Sequence, residues 1–418
     1  MKNNVAIQSS TALLILILVF ALPSIPITAQ STEKPPNFGS SLKRPKAETT
    51  VEPKEEINQK STENNLPQPE EIVRVNTSLV SLDVLVTDSS GSRYITGLTK
   101  DDFVVTEDNQ PQTIASLTVG DDAAARLPRS IVLIFDRSQS QFAYLDASIE
   151  AAKSLVTQLA PSDEMAIVTD DVELAIGFTK DKKKLKQTLD SLKELTVNGY
   201  NTRSMQFSAL LAVLRELIDS DKKRPIIIFQ TDGDEAARWE QQRPSAYDLN
   251  TVYSEVEKSR VKIYTVIPNI RLIDIPEEEV TKRLILMAER GRLARSKYKD
   301  MWMGAERVSP KAENNSIKLP DIDRERFMEM MADKLIKGQT AADRVADLTG
   351  GWTSFLETQE QVGEIYGRIL ADINHRYIIS YYPTNKTLDG KLRKVRIEVK
   401  GHLDYVVQGR TSYYAMPR

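Results

Sequence analysis

The sequence predicts an α/β protein: a doubly wound, mainly parallel sheet inserted in a small antiparallel β-sandwich formed by flanking N- and C-terminal strands. Three observations predict it. Between residues 129 and 267, continuous apolar runs such as 131–135 (IVLIF) and 226–229 (IIIF) alternate with stretches of helical periodicity, as strands covered by helices on both faces do. Short alternating segments broken by turns lie on both sides of that block, in 71–120 and in 374–418. Neither flank carries enough strands to stand alone, so the two are expected to pair.

The elements follow in chain order. In the first flank, Val80, Leu82, Val84 and Val86 share one face of a strand, and residues 88–92 (DSSGS) form a turn. Further short strands follow at 103–105 and 114–117. The α/β domain is expected over 129–373. Its strands are 131–135, 165–168, 226–229 and 261–267, and its helices 147–159, 181–195, 207–218 and one containing 253–258. Residues 276–337 interrupt the alternation with a helical insertion dense in Arg, Lys and Met. A helix at 341–349, a turn at Gly350-Gly351, an edge strand at 352–356 and a helix at 362–373 complete the domain. The second flank offers strands at 377–382, 395–399, 405–407 and 413–414.

The N-terminus is of another kind. Lys2 precedes the apolar run 12–22 (ALLILILVFAL), and Pro23, Pro26 and Ala29 follow. About 20 apolar residues are needed to span a bilayer, so this run fits a secretory signal over 1–29 cleaved after Ala29; an uncleaved membrane anchor is the alternative. The expected location is therefore periplasmic, secreted or cell-surface. Residues 30–70 are rich in Pro, Lys, Glu, Asn and Ser and read as a disordered linker. With no cysteine in the chain, an exported fold must hold without disulfides.

The chemistry concentrates at two strand ends. Asp136-Arg137-Ser138-Gln139-Ser140 follows the strand 131–135, and Thr231-Asp232-Gly233 follows 226–229. Loops at the carboxyl ends of parallel strands are where an open α/β sheet places its ligand. Hydroxyls and carboxylates without nearby Cys or His suit a hard cation, Mg²⁺ or alternatively Mn²⁺ or Ca²⁺.

With D-x-S-x-S and T-D-G in this topology, the chain resembles a von Willebrand factor type A (VWFA) domain with its metal-ion-dependent adhesion site. Residues 73–117, 377–382, Asp389-Gly390-Lys391 and Ser412-Tyr413-Tyr414-Ala415 extend the resemblance to the exported VWFA-related proteins of acidobacteria. The resemblance implies that Ser138 and Ser140 bind the cation directly. Asp136 and Asp232 would contribute directly or through water. A third loop supplies one more hydroxyl: counting back from the helix 207–218 favours Ser204, and matching from Gly199 favours Thr202. Two carboxylates leave the ion much of its charge and one position for an Asp or Glu of a protein partner.

Other classes are weaker. The net charge of −3 offers nucleic acid no general attraction, and Lys182-Lys183-Lys184 reads as a solvated helix start. No HExxH, phosphate loop or G-x-S-x-G elbow is present, and the two histidines, His375 and His402, lie far from Ser138 in sequence. Neither an enzyme nor a small-molecule substrate is expected, a hydrolase being the minor alternative. Asp170-Asp171 reads as a solvated turn. The principal alternative is a structural envelope protein with a vestigial metal site, whose β-domain or insertion makes the contacts. Tyr381-Tyr382 and Tyr413-Tyr414 would then offer an aromatic surface, although such tyrosines more often pack across strands.

Overall fold

The computed structural model describes residue 42 and residues 79–119, 128–141, 144–198, 204–218, 224–235, 248–297 and 324–416. The segment read as a signal, nearly all of the linker, Thr202 and the centre of the insertion lie outside them.

The α/β domain is built on a six-stranded sheet ordered β10-β9-β8-β5-β6-β7. These strands are β5 (Arg129–Phe135), β6 (Glu164–Thr169), β7 (Leu174–Thr179), β8 (Arg224–Gln230), β9 (Lys262–Ile267) and β10 (Thr353–Phe355). All neighbours are parallel except β7, which runs antiparallel along the edge of β6. Side chains alternate across a strand, so β5 serves two cores. Ile131, Leu133 and Phe135 face helices α1 (Leu145–Gln158), α2 (Lys182–Asn198) and α7 (Val362–Asn374). Val132 and Ile134 face α3 (Gln206–Ala212), α4 (Leu249–Lys258) and α6 (Arg324–Asp347). The stripe Leu185, Leu189 and Leu192 is buried on α2 as its spacing requires.

Several elements differ from expectation. The helix foreseen at 207–218 is α-helical only to Ala212, and Val213–Leu217 form a wider π turn. The insertion and the helix foreseen at 341–349 are not separate, because α6 runs unbroken from Arg324 through Gly338 to Asp347. Helix α5 (Glu277–Lys297) packs on its first half through Leu284, Met331 and Leu335. Leu42, the one described residue of the linker, is buried in the second core, and its N–H donates to Glu216 Oε2 at 2.9 Å. A free tether would not be held this way. No helix among the described residues is long and apolar enough to cross a membrane.

The flanks form two four-stranded sheets, each mixing N- and C-terminal strands. One is ordered β13-β1-β11-β4, from β1 (Val80–Thr87), β4 (Ile114–Val119), β11 (Tyr377–Tyr381) and β13 (Val406–Gly409). The other is β14-β12-β2-β3, from β2 (Phe103–Glu107), β3 (Gln110–Gln112), β12 (Leu392–Val399) and β14 (Ser412–Tyr414). Leu82, Val84, Val86, Phe103, Val105, Ile379 and Val395 fill the space between them. Tyr381 and Tyr413 are not a surface patch. Both donate their hydroxyls to Glu107 Oε2, at 2.8 and 2.7 Å, and Tyr381 is fully buried.

Charged groups join sandwich to α/β domain. Asp83 of β1 meets Arg224 of β8 and lies 3.4 Å from Arg376 Nη1. Burial pushes the Asp83 carboxyl up, but the Arg224 and Arg376 guanidinium groups and the Lys262 ammonium outweigh it and hold the pKa at about 2, against 3.8 for a free aspartate. A depressed folded-state pKa stabilises above the unfolded value, and the gain is lost as pH falls through the folded one. The stability difference between the parent chain and Asp83→Asn is therefore expected to be constant above roughly pH 4 and to shrink towards pH 2. Urea titrations at stepped pH check this; a difference that stays flat would mean Asp83 is not the linked group.

Candidate metal centre

The centre grows from strand register. Phe135 and Gln230 are paired neighbours at the ends of β5 and β8, so the next residues, Asp136 and Thr231-Asp232, leave the sheet side by side. Asp136 N–H donates to Gln230 O at 3.2 Å. A third segment joins them from the start of α3, where Met205 N–H donates to Asp170 O at 2.8 Å. The structure thus brings together Asp136, Ser138, Ser140 and Asp232 and sets Ser204 beside Asp170 on the third segment, with Thr202 outside the described residues.

The two carboxylates are buried, each 1% exposed. Ser138 N–H donates to Asp136 Oδ1 at 2.9 Å, the hydroxyls of Ser138 and Ser140 are 3.0 Å apart, and Ser140 Oγ donates to Asp232 Oδ2 at 2.5 Å. Gln141 Nε2 donates to the same oxygen at 2.9 Å. Burial raises the Asp136 carboxyl well above the usual range, and the neighbouring Asp232 and Asp170 carboxylates add to it. Two buried carboxyl groups thus lie close enough for one to disfavour the other's ionisation.

Sequence reasoning missed the residues that organise this pocket. Gln206, 1% exposed, places Nε2 at 2.6 Å from Asp136 Oδ2 and 3.0 Å from Asp232 Oδ1. Its Oε1 accepts from Gly233 N–H at 3.1 Å and from the Thr231 hydroxyl. Glu235, also buried, accepts from Phe207 N–H at 2.8 Å and from Ser208 Oγ at 3.2 Å. An anion there suits the start of α3, where N–H groups lack helical partners. The signal in sequence was the pair of polar residues, Gln206 and Ser208, in the otherwise apolar start of α3.

Asp170 corrects the expectation of a solvated turn. It is completely buried, and burial, with the adjacent Asp171 carboxylate, raises its pKa to about 7. Arg137 N–H reaches Asp170 Oδ1 at 3.3 Å, while the Arg137 guanidinium pairs with Asp171 at 2.9 Å. The segment must turn sharply here to let β7 fold back, and Val172 takes a left-handed φ of 65° to do so.

The insertion touches the centre. Gly233 (φ 76°) lies against Gly338 of α6 so closely that a Cβ on Gly233 would fall 2.1 Å from Gly338 O. Lys334 Nζ stands 3.0 Å from Asp234 Oδ1. The histidines stay in or beside the sandwich: His375 stacks on Tyr94 at 4.6 Å and His402 on Tyr405 at 4.3 Å.

The donor set can be tested for fit to a hard cation. Ser204, 8% exposed, turns its hydroxyl towards the buried Asp170 carboxyl. Among the described residues no group of three or more His, Cys, Asp or Glu could hold a metal, so any cation here takes two carboxylates and hydroxyl oxygens. With that composition the residues fit.

A doubly wound sheet with D-x-S-x-S on one strand end and a second aspartate on its neighbour defines a class of ligand-binding α/β domains. Residues 130–294 match the von Willebrand factor type A domain family, so the chain carries a von Willebrand factor type A domain. The match supports nothing narrower, including the acidobacterial resemblance. Curated proteins give no match. Among solved structures, proximal thread matrix protein 1 from the mussel byssus is 17% identical, over 34% of this chain and 38% of its own, with a TM-score of 0.27. The chain thus spans well under two thirds of that protein. BatB from Bacteroides thetaiotaomicron is 14% identical over 59% of this chain and 98% of its own (TM-score 0.33), and manganese-loaded TRAP protein from Plasmodium vivax 11% identical over 74% and 97% (TM-score 0.29). Likenesses this low carry no argument about function.

Proposed function

We infer that the chain is an exported protein-binding module, an adhesion or scaffold component, that captures an acidic residue of a partner through a hard divalent cation. The observation that carries this reading is the oxygen-only donor set: two buried carboxylates, Asp136 and Asp232, linked through the hydroxyls of Ser138 and Ser140. Asp136 and Asp232 would hold the ion, with Ser138, Ser140 and Ser204 as neutral ligands. Mg²⁺ is the expected ion, with Mn²⁺ or Ca²⁺ as substitutes; once bound it supplies positive charge and a coordination position open to a partner carboxylate. The exposed Ser140 marks the side from which that carboxylate arrives. The apolar N-terminal run supports export.

The test is thermal unfolding of the full chain in EDTA and with each cation, beside Ser138→Ala/Ser140→Ala. A ligand at 100 times its Kd adds about 2.7 kcal/mol, expected to raise the Tm by roughly 3–5 °C in the parent chain and by much less in the double variant. No shift at millimolar metal, or equal shifts in both proteins, would overturn the reading. A vestigial metal site in a structural protein is the second reading, and the position of Gln206 is the observation that favours it.

A further inference from the structure

We propose that the Gln206 carboxamide is a built-in stand-in for the cation, holding the two carboxylates together without metal and yielding its place when metal binds. The inference rests on the metal-binding reading above and adds the residue that sets its affinity.

The geometry is specific. A primary amide has two N–H hydrogens, and Gln206 spends one on each carboxylate, at 2.6 Å to Asp136 and 3.0 Å to Asp232. Asp136 and Asp232 would hold the ion through carboxylate oxygens, and the oxygens that now accept from the amide are among those available to it. Nitrogen and ion cannot use the same oxygen faces together. The amide is also locked from behind, since its oxygen accepts from Gly233 N–H and the Thr231 hydroxyl on the loop that carries Asp232. Gln206 therefore joins the ends of β5 and β8 through side-chain bonds alone.

A neutral amide does this incompletely. It offers a dipole where two negative charges ask for a cation. The arrangement preserves the shape of the pocket in the free protein at the expense of affinity, because the ion must first break two hydrogen bonds to carboxylates. Bonds to charged groups are the stronger kind. Removing the amide should have opposite effects on the two states: the metal-free protein loses a clamp between like charges, and the metal-bound one loses a competitor.

The experiment measures Mn²⁺ binding by calorimetry, and thermal unfolding in EDTA, for the full parent chain, Gln206→Ala, Gln206→Ser and Asp136→Ala. The expected result is a lower Tm in EDTA for both Gln206 variants, with Mn²⁺ bound on the order of ten-fold or more tightly than by the parent chain, and none bound by Asp136→Ala. Binding by the variants but not by the parent chain would overturn both the metal-binding reading of the parent chain and the inference, the amide then excluding the ion rather than yielding to it. Gln206 variants that bind Mn²⁺ no more tightly than a binding-competent parent would overturn the inference and leave the metal reading intact, the amide then being an ordinary support. If neither parent nor variants bind Mn²⁺, both fall.

Discussion

Arg376→Ala is expected to destabilise the chain by about 3–5 kcal/mol, the range for removing one partner of a buried charge pair. Arg376 is fully buried at the short junction between α7 and β11, where the α/β domain hands over to the sandwich. Its Nη2 donates to Asp372 Oδ2 at 2.9 Å, its Nε reaches Asp372 Oδ1 at 2.6 Å and the Tyr264 hydroxyl at 3.2 Å, and its Nη1 meets Asp83. Asp372, itself 1% exposed, would keep only the Trp352 indole N–H at 2.7 Å among these partners. The damage comes less from the lost attraction than from a stranded carboxylate. It follows that Arg376→Leu/Asp372→Leu, which removes both charges, should recover much of the loss. Urea unfolding of both proteins decides this: a single-variant cost under about 1 kcal/mol would mean that water or rearrangement rescues Asp372, which the packing argues against.

Gly233→Ala is expected to cost about 3 kcal/mol or more, combining a left-handed backbone with a backbone clash. The φ of 76° already disfavours any L side chain, and Gly338 O would lie 2.1 Å from the new methyl. Gly338→Ala meets the same surface from the other side, with Gly233 O at 2.8 Å. Neither neighbour is a flexible side-chain end, so α6 must move away from the Asp232 loop. Both variants should therefore weaken Mn²⁺ binding as well as lower the Tm, although Gly338 is no ligand. Gly367→Ala is the control: nothing lies within 4 Å of its Cβ, and alanine in a helix interior should add about 0.5–1 kcal/mol. A Gly338→Ala protein as stable as the parent would show that the helix and loop part easily.

The frame was legible because its signals are local. Fully covered strands must be apolar on both faces, and residues 131–135 and 226–229 announce that in four or five letters. The loops of the candidate site were legible because they follow such strands directly. Elements with weaker local signals were lost. Strand β7, LAIGFT, is half-buried along most of its length and belongs to the sheet by pairing with β6. Strand β3 is polar and short. Helix α6 carries a glycine that argues for a break, yet the backbone of Gly338 is needed against Gly233, a reason invisible without the partner loop. Gln206 and Glu235 were missed for a similar cause: a buried polar residue is explained by its partners, which for Gln206 lie at two strand ends and for Glu235 at the start of α3. Asp170 was read as solvent-facing because acidic pairs at strand ends usually are; burial beneath the loops reversed that.

The pairing of the two flanks has a consequence in time. Ser81 and Ser380 are opposite one another, their hydroxyls 3.0 Å apart across a sequence separation of 299 residues. Apart from a local bridge between Thr87 and Tyr94, strand β1 pairs among the described residues with β11 and β13, both made at the far end of the chain. Such contacts close slowly when the intervening chain is loose. Once the α/β domain has formed, however, its two ends already meet, since Arg129 Nη1 donates to Asn374 Oδ1 at 2.8 Å. The domain then acts as a rigid closed loop that delivers β11 to β1. The sandwich is accordingly expected to assemble last, and β1 waits with bare edges, open to other strands, for as long as the α/β domain takes to fold.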